Sequence, residues 1–399
     1  MPRRVLLHSH HRTFKVRYPW RTEGIAQALA AAGSEVTILC TADTARWRRR
    51  ESAHDGVRFV EVPDLLRGRQ RSGWDLWSAW HRHTWLRRQH FDLIHCLDTR
   101  PAVIHPTLAH LRRAPSPLVI DWADWWGRGG LIEENRPAWY RFAFERLETH
   151  YEERYRRHAD ATTVIARGLA ERAVGLGVPR DSIFWLPNGC APQRIPVVPP
   201  ATHRAEFGLP ADAFVVGFNA ADVTIGFSLV LAAFAQAAAA LPQAHLLLTG
   251  NLPTDARALL ARTPHADRVH ALGFVATDAY TCALTCADVF LLPFTDRPAN
   301  RGRWPGRIND YLSTGRPIVT QPFGEMETLL REEPIGLLAD DTPSAVAAAL
   351  TTLACDPLRR AALGRHARHL AETRLSWPEL SATLEAAYAC AERRRVASK

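Results

Sequence analysis

The sequence predicts an α/β fold with two domains, each built around a parallel sheet. Short apolar runs recur along the chain, each followed by a helix-like stretch, which is the pattern of buried parallel strands with crossover helices. The chain has 399 residues, enough for two full cores. The stretch A-P-Q-R-I-P-V-V-P-P-A-T at 191–202 contains four prolines. It predicts a semi-rigid linker between the domains.

The first domain opens with a strand, a helix and a second strand. Residues 5–10 and 35–40 are apolar runs, and residues 23–33 between them read as a helix that ends at a glycine. No G-x-G-x-x-G follows the first strand, so a dinucleotide cofactor is not expected. The polar, basic loop at 10–21 lies where open α/β sheets bind ligands. It supplies three candidate site residues, with an ordinary solvated loop as the alternative: His10, His11 and Arg12.

Residues 46–90 are rich in tryptophan and arginine. Arginine clusters at 46–50 and 67–71 precede W-D-L-W-S-A-W-H-R-H-T-W-L-R-R at 74–88. At about 100° per residue, the four tryptophans of that stretch fall within an arc of about 140° on one helix face. Such a face suits a membrane surface, because tryptophan favours the interface and arginine meets lipid phosphate. The alternative is a helix that packs this face into the domain core.

Two aspartates mark the end of a later strand. Residues 91–98 and 117–130 resume the strand pattern, and the second stretch ends as D-W-A-D-W-W-G-R-G-G. Asp121 and Asp124 are three residues apart, and the glycines after them permit close backbone approach. Either carboxylate could act as a base or bind a hydroxyl group of a ligand. The alternative is that one of them caps the next helix.

The second domain contains a strand, loop, helix and strand in succession. Residues 287–294 form an apolar run, R-W-P-G-R-I-N-D-Y-L-S-T-G-R-P follows at 303–317, and another apolar run begins there. The spacing predicts a short helix over about 307–314 that ends at Gly315. In such a unit, the loop amides and the helix N-terminus form an anion site at the carboxyl end of the strands.

Charged side chains strengthen this anion site. Arg303 and Arg307 would add guanidinium donors suited to phosphate. Asp310, about one helical turn further on, would accept hydrogen bonds from ribose hydroxyls. The combination indicates a nucleotide. The alternative is a scaffold with solvated arginines and a locally paired aspartate.

An ordered set of motifs resembles the GT-B glycosyltransferases, retaining family 4 in particular. The motifs are P-N-G at 187–189, L-L-L-T-G at 246–250, V-H-A-L-G-F at 269–274, A-D-V-F-L-L-P-F at 287–294, D-Y-L-S-T-G-R-P-I-V at 310–319, F-G-E-M-E-T-L-L at 323–330 and S-W-P-E-L at 376–380. No single motif is specific, but their order spans most of the chain.

The resemblance implies two Rossmann-like domains facing across a cleft. Residues 1–190 would bind the acceptor, 191–202 would form the linker, 203–375 would bind the donor, and a C-terminal helix in 376–399 would cross back to the first domain. The implied reaction moves a sugar from a nucleoside-diphosphate sugar to a glycan, lipid-linked or small-molecule acceptor. It retains the anomeric configuration and uses neither a metal nor another cofactor.

The resemblance also assigns roles to residues. The donor would be bound by Asn219, Arg303, Gly306, Arg307, Asp310, Glu325 and Glu327. Asp121 and Asp124 occupy the region where related enzymes touch the donor sugar near the acceptor, so they are the catalytic candidates. The loop with His10, His11 and Arg12 would face the cleft on the acceptor side.

Four positions depart from the family pattern. Ala221 and Ile225 stand where family 4 usually has an arginine and a lysine that bind the diphosphate. Of the two family glutamates, Gly302 replaces the first and Asp310 the second. Because charge-assisted hydrogen bonds contribute roughly 1.5 to 3 kcal/mol each, other cations must replace the missing pair. The alternative is a GT-B protein that binds a nucleotide sugar or a partner without catalysis.

The composition indicates which binding partners and which cellular compartment are expected. The formal charge of +9 favours phosphate-rich partners. No nucleic-acid-reading motif is recognisable, so nucleic acid is not expected and a polyanion binder is the third hypothesis. The seven cysteines form neither a disulfide framework nor a zinc pattern. Without a membrane-spanning run or a signal peptide, a cytoplasmic protein is expected, with peripheral contact at the inner membrane face through 74–88.

Overall fold

The structure is a computed structural model that describes residues 2–12, 21–43, 45–66, 73–223 and 226–397. Three features of the sequence analysis lie outside these residues: most of the loop after the first strand (13–20), the arginine cluster at 67–71, and Ile225. The chain divides into two compact units. The first contains the residues up to Asn188, Arg301–Arg303 and the residues from Trp377 on, and the second contains Gly189–Asn300 and Trp304–Ser376.

The first unit is built on an eight-stranded sheet of order β3-β4-β2-β1-β5-β6-β7-β8. Its strands are β1 (Arg4–Arg12), β2 (Glu35–Thr41), β3 (Arg50–His54), β4 (Val57–Val62), β5 (Leu93–Cys96), β6 (Leu118–Trp122), β7 (Ala161–Val164) and β8 (Ile183–Trp185). Its first helices are α1 (Arg21–Ala31), α2 (Leu76–Leu86), α3 (Pro101–Leu111), α4 (Leu131–Asn135), α5 (Ala138–Arg154) and α6 (Arg167–Gly175). The sheet is parallel except at its edge, where β3 runs antiparallel to β4.

Buried apolar residues on both faces of this sheet form the core of the first unit. In the middle of the sheet, Val5 of β1 lies opposite Val36 of β2 and Leu93 of β5, and all three are buried. Strands covered by helices on both faces carry near-continuous apolar sequence, which is why the apolar runs were visible in the sequence. The predicted β-α-β opening is confirmed by β1, α1 and β2.

The second unit is built on a six-stranded sheet of order β11-β10-β9-β12-β13-β14, parallel throughout. Its strands are β9 (Phe214–Asp222), β10 (Ala244–Asn251), β11 (Val269–Ala271), β12 (Val289–Leu292), β13 (Ile318–Thr320) and β14 (Gly336–Leu338). Its helices are α7 (Phe227–Ala240), α8 (Thr254–Ala261), α9 (Thr277–Thr285), α10 (Pro298–Arg301, whose last residue belongs to the first unit), α11 (Arg307–Thr314), α12 (Gly324–Glu332), α13 (Pro343–Cys355) and α14 (Pro357–Glu372).

Helix α11 is the helix that the sequence predicted over 307–314, and Gly315 ends it with a φ of 69°. Its apolar face is buried, and Tyr311 stacks on Phe290 of β12 with the ring centres 4.0 Å apart. The proline-rich residues 191–202 belong to the second unit. There the side chains of Arg368 and Arg316 donate to the carbonyls of Ile195 and Val198.

The last helix, α15 (Trp377–Ala397), packs into the first unit. Its buried residues Leu380, Leu384 and Tyr388 join the same apolar cluster as the central strands. Trp377 lies directly over Gly24 of α1, where a Cβ atom would come within 2.2 Å of the indole ring. The predicted return of the C-terminal helix to the first domain is therefore confirmed.

The four tryptophans of residues 74–88 do not form one exposed face. Trp85 is buried in the core of the first unit, whereas Trp80 is 53% exposed. Trp74 and Trp77 are half-buried, and Trp77 stacks against Trp80 with the ring centres 5.0 Å apart. The stripe thus divides between the core and the surface. Of the helices described, none is both long and apolar enough to cross a membrane.

Candidate functional site

The carboxyl ends of β1 and β5 bring a histidine and an aspartate together. Nδ1 of His10 lies 2.6 Å from a carboxylate oxygen of Asp98, which also accepts the backbone N–H of His10. Burial lowers the pKa of His10 more than the Asp98 carboxylate raises it, so the imidazole is neutral near pH 7. A neutral ring that donates from Nδ1 keeps Nε2 as an acceptor. This is the arrangement of a general base held by a carboxylate.

The two residues after His10 have different surroundings. The ring of His11 lies against that of His10 with the centres 4.2 Å apart, and His11 is exposed. Arg12 instead binds protein groups: its guanidinium donates to the carbonyl of Ala42 and to Asp64, each at 2.8 Å. Of the three predicted acceptor-side residues, His10 and His11 are adjacent, whereas Arg12 is engaged by the fold.

Asp121, a predicted catalytic residue, is held in a buried ion pair at the end of β6. Arg21, at the start of α1, donates to both of its oxygens at 2.7 Å, and the Thr163 hydroxyl donates to it at 2.5 Å. Burial favours the neutral acid, but Arg21 outweighs this effect and lowers the pKa of Asp121. This carboxylate is fully buried and its oxygens are occupied, so it holds Arg21 in place, and Arg21 also reaches Asn188.

Asp124, the second catalytic candidate, has the opposite environment. Its side chain is 51% exposed, and Nε of Arg303 lies 3.9 Å from one of its oxygens. Glu152 fixes the loop by accepting the backbone N–H groups of Trp126 and Gly127 at 2.7 and 2.6 Å. Asp124 rather than Asp121 is therefore open to a ligand. Arg303, predicted to bind the donor, lies beside Asp124 within the first unit.

Four side chains form a connected network at the carboxyl end of β9, in the second unit. Nδ2 of Asn219 donates to the Tyr280 hydroxyl at 2.5 Å, and that hydroxyl donates to Asp310 at 2.7 Å. Arg307 donates to the backbone carbonyl of Asn219 at 2.9 Å, and its guanidinium lies over the ring of Phe218. Three predicted donor-binding residues, Asn219, Arg307 and Asp310, are thus brought together, and Tyr280 of α9 connects them.

Two residues on neighbouring strands at this edge of the sheet each carry a buried polar atom. Oδ1 of Asn219 and Oγ1 of Thr249 have no hydrogen-bond partner among the residues that the structure describes. The two residues are partners in the register of β9 and β10. Leaving a buried polar group unpaired costs about 1 to 3 kcal/mol, so these atoms mark a place where a ligand or water binds.

The carboxyl group of Asp310 is poised to change its charge near neutral pH. Burial raises the pKa of Asp310 to about 6, although the hydrogen bond from Tyr280 opposes this shift. Above this pH the carboxylate can accept hydrogen bonds from ligand hydroxyls as well as from Tyr280. Below it, the neutral acid has lost part of that capacity.

The remaining predicted donor-binding residues lie at the start of α11 and on α12. Gly306 precedes α11, and a Cβ added there would meet no described atom within 4 Å. Glu325 is buried, and Glu327 pairs with Arg331 at 2.9 Å, one turn along α12. A ligand can therefore approach Gly306 without displacing protein, whereas Glu325 is enclosed and Glu327 already has a cationic partner.

Three residues of these clusters were not predicted from the sequence: Arg21, Asp98 and Tyr280. The sequence contained an indication of the role of Arg21, because a cation in the first turn of a helix opposes the helix dipole and needs a partner. Asp98 also carried one, since it ends a predicted strand, where α/β sheets place ligands. Tyr280 carried none, because its contact with Asp310 joins two helices that are 30 residues apart in the chain.

Two family models match the chain in the order of its two units. Residues 19–189 match the glycosyl transferase 4-like domain, and residues 213–356 match the glycosyl transferases group 1. Together they span most of the chain. A search of curated protein sequences gives no significant match.

Several solved structures have a similar fold. Sucrose-phosphate synthase from Thermosynechococcus elongatus aligns over 100% of both chains with 18% identity and a TM-score of 0.75. HepE from Anabaena, in complex with UDP and glucose, aligns over 96% of this chain and 98% of its own, with 17% identity and a TM-score of 0.69. The catalytic domain of starch synthase IV from Arabidopsis thaliana, bound to ADP and acarbose, aligns over 98% and 100%, with 12% identity and a TM-score of 0.70.

The fold and the matched models agree with each other and with the ordered sequence motifs. Both units are Rossmann-like, with a parallel sheet between helices, and α15 returns to the first of them. The chain belongs to the GT-B glycosyltransferases, and family 4 fits the models that it matches.

Proposed function

We propose that this glycosyltransferase uses a nucleoside-diphosphate sugar as donor and binds it at the carboxyl end of the second sheet. The network of Asn219, Tyr280, Asp310 and Arg307 is the observation that carries the proposal. It supplies a cation for phosphate, a carboxylate for ribose hydroxyls and a buried unpaired acceptor on Asn219. Nucleotides bind at this edge of open α/β sheets. The UDP and ADP complexes of two structural neighbours support the same class of donor.

The proposed leaving group is stabilised without a metal. Helix α11 begins at Arg307 and directs its N-terminal amides and the positive end of its dipole towards the diphosphate. Arg307 adds a guanidinium at the same place, and Gly306 leaves room for the phosphates. This arrangement takes over the task of the arginine and lysine that the family usually has, one of which is replaced by Ala221.

The acceptor is proposed to bind in the first unit, near His10 and Asp124. His10 can receive a proton at Nε2, and Asp124 is exposed enough to accept a hydrogen bond from a sugar. Arg21 lowers the pKa of Asp124, and Asp121, which holds Arg21, has the opposite effect. Retention of configuration follows the family 4 assignment. It is tested by determining the anomer of the product by NMR, because an inverted product would contradict it.

Calorimetric titration tests the donor site. UDP, ADP, GDP and their sugars are titrated into the purified protein and into the variants Arg307→Ala and Asp310→Ala. The controls Arg359→Ala and Asp341→Ala remove the same charges from exposed positions of the same unit. Micromolar binding that both site variants lose and both controls keep supports the proposal. Absence of binding to every nucleotide by the folded protein contradicts it and favours the non-catalytic GT-B scaffold.

A second proposal concerns the surface of the first unit. A groove of about 650 Å³ between α2, α3 and the end of α5 is lined by basic and aromatic side chains, among them Trp80, His83, Arg112, Arg154 and His158. None of the lining residues in the described part of the chain is acidic. We propose that this face docks the enzyme, as a cytoplasmic peripheral protein, on an anionic lipid surface.

Co-sedimentation with vesicles tests this docking. Binding to phosphatidylglycerol vesicles is expected to exceed binding to phosphatidylcholine vesicles and to fall as salt rises. The double variant Trp80→Ala/Arg112→Ala should weaken it by about tenfold, since each arginine near an anionic surface contributes about 1 kcal/mol and the tryptophan adds apolar contact. The control Leu358→Ala/Arg359→Ala removes an exposed apolar and basic pair from the second unit. Equal loss in both variants contradicts a specific docking face.

A further inference from the structure

Three side chains of different chemistry converge at the start of the second unit. The ligand atoms of His203, Glu206 and Cys282 all lie within 4.8 Å of one another. Nδ1 of His203 is 2.9 Å from a carboxylate oxygen of Glu206. His203 and Glu206 belong to the short 3₁₀ helix Pro200–Phe207, and Cys282 belongs to α9. The cluster lies outside both the His10 region and the donor network.

The donor set indicates which ion would bind. Imidazole nitrogen, carboxylate oxygen and thiolate sulfur together suit zinc, whereas calcium and magnesium prefer oxygen alone. Tetrahedral zinc places its ligand atoms roughly 3.3 to 3.8 Å apart. The three ligand atoms lie within 4.8 Å of one another, so small side-chain rotations would bring them to this spacing. The side chain of Glu206 is 59% exposed, which leaves one side of the cluster open to water.

The two segments that carry the ligands are held together by a residue that is not a ligand. Arg204 lies between His203 and Glu206, and its guanidinium donates to the carbonyl of Cys286, the residue that caps α9, at 3.2 and 3.1 Å. It also pairs with Asp288 at 2.6 Å. The two backbone segments are thus held together before any ion binds, which reduces the ordering cost of binding.

We propose that His203, Glu206 and Cys282 bind a zinc ion, with water as the fourth ligand. The ion joins the first segment of the second unit to α9. Tyr280 lies two residues before Cys282 on the same helix and connects Asn219 to Asp310. Zinc therefore also steadies one side of the donor network. This last consequence rests on the proposed donor site, whereas zinc binding itself does not.

Metal titration of the full chain tests the site. The protein is stripped with a chelator and titrated with Zn²⁺ against a chromophoric competitor, and with Co²⁺ to observe a thiolate-to-metal charge-transfer band. One ion per chain is expected. Cys282→Ser should abolish the band, and Cys282→Ser and His203→Gln should each weaken binding on the order of 100-fold, since even residues that only support a ligand contribute 10- to 100-fold.

Matched variants separate the site from adventitious binding and from misfolding. Cys355→Ser and His369→Gln change exposed residues of the same unit and should leave the titration unchanged. In chelator all variants should melt as the wild type does, while Zn²⁺ should raise the Tm only where the site is intact. A charge-transfer band that survives Cys282→Ser overturns the proposal. If zinc binds as expected but no nucleotide binds, the donor site fails and the zinc site stands.

Discussion

Arg21 and Asp121 form a two-pronged ion pair in the first unit, with both N–H···O distances at 2.7 Å. The pair joins the start of α1 to the end of β6, two elements that are 100 residues apart in the chain. Almost none of either side chain reaches solvent. A buried pair of this kind fixes geometry, because either partner alone would leave an uncompensated charge.

Loss of one partner of this pair should strongly destabilise the protein. Arg21→Met leaves the Asp121 carboxylate buried without its cation, and the expected loss is about 3 to 5 kcal/mol in the free energy of unfolding. Denaturant unfolding, followed by circular dichroism, measures it. Arg180→Ala is the control, because it breaks an exposed pair with Glu171 and should leave the unfolding curve unchanged. Similar curves for the two variants would show that the buried pair is not structural.

Donor affinity should depend on pH through Asp310. Burial raises the pKa of Asp310 to about 6. Above that pH the ionised carboxylate accepts ribose hydroxyls, and below it the neutral acid does so less well, so affinity should fall as pH drops from 7.5 to 5. Calorimetry across this range measures the change. The Asp310→Asn variant should bind the donor weakly at every pH. If this variant keeps the pH dependence of the wild type, a group other than Asp310 causes that dependence.

Removal of the Tyr280 hydroxyl should weaken donor binding without unfolding the protein. Tyr280→Phe keeps the ring but leaves Asn219 and Asp310 without their shared partner, so a loss of about 1 to 2 kcal/mol in binding free energy is expected. Titration with the nucleotide sugar that binds most tightly in the calorimetric panel measures it. Tyr140→Phe, which removes a hydroxyl in the first unit, serves as the control. Unchanged affinity in Tyr280→Phe would mean that the network does not contact the donor.

His10 should control the rate of transfer rather than donor binding. His10→Ala removes the proposed base, and kcat is expected to fall by about 10² to 10⁴, while the donor Kd, set in the second unit, stays the same. Asp98→Asn should show a smaller loss of kcat, because it disturbs the orientation of the imidazole. Steady-state kinetics with a working acceptor gives both values. An unchanged kcat in His10→Ala would exclude base catalysis by this residue.

Gly24 should tolerate no side chain. An added Cβ would lie 2.2 Å from the indole of Trp377, so Gly24→Ala should force α15 to shift and cost about 1 to 3 kcal/mol in stability. Thermal unfolding measures this loss. Gly175→Ala is the matched control, because no described atom lies within 4 Å of a Cβ there. A stable Gly24→Ala protein would mean that α15 adjusts at no cost.

The fold was predictable from the sequence because its signals are local. Apolar runs such as residues 5–10 indicate strands that are buried on both faces of a sheet. Gly315 indicates the end of a helix, where the backbone adopts a left-handed conformation. The candidate site was only partly predictable. Asn219, Arg307 and Asp310 were predicted from motifs and lie together in the structure, whereas the ion pair of Asp121 with Arg21 was not predicted.

The contacts that escaped prediction join residues distant in sequence. Tyr280 reaches Asp310 from a different helix, and Cys282 meets His203 across more than seventy residues of chain. Such pairs have no spacing rule, because the fold rather than the local chain sets their separation. For the tryptophans of residues 74–88, a local spacing rule did apply, but packing in the fold overrode it. Their helical spacing suggested one face, yet the packing of the helix buries Trp85 and exposes Trp80.

The position of α15 has a consequence for how the protein is made. The ribosome releases the strands of the first unit before the second unit, but the helix that covers Ile25 and Leu29 emerges only after the second unit. Until then this apolar surface is open to water, to chaperones or to other nascent chains. The second unit, by contrast, is a continuous stretch apart from residues 301–303. The first unit is therefore begun before the second unit and completed after it.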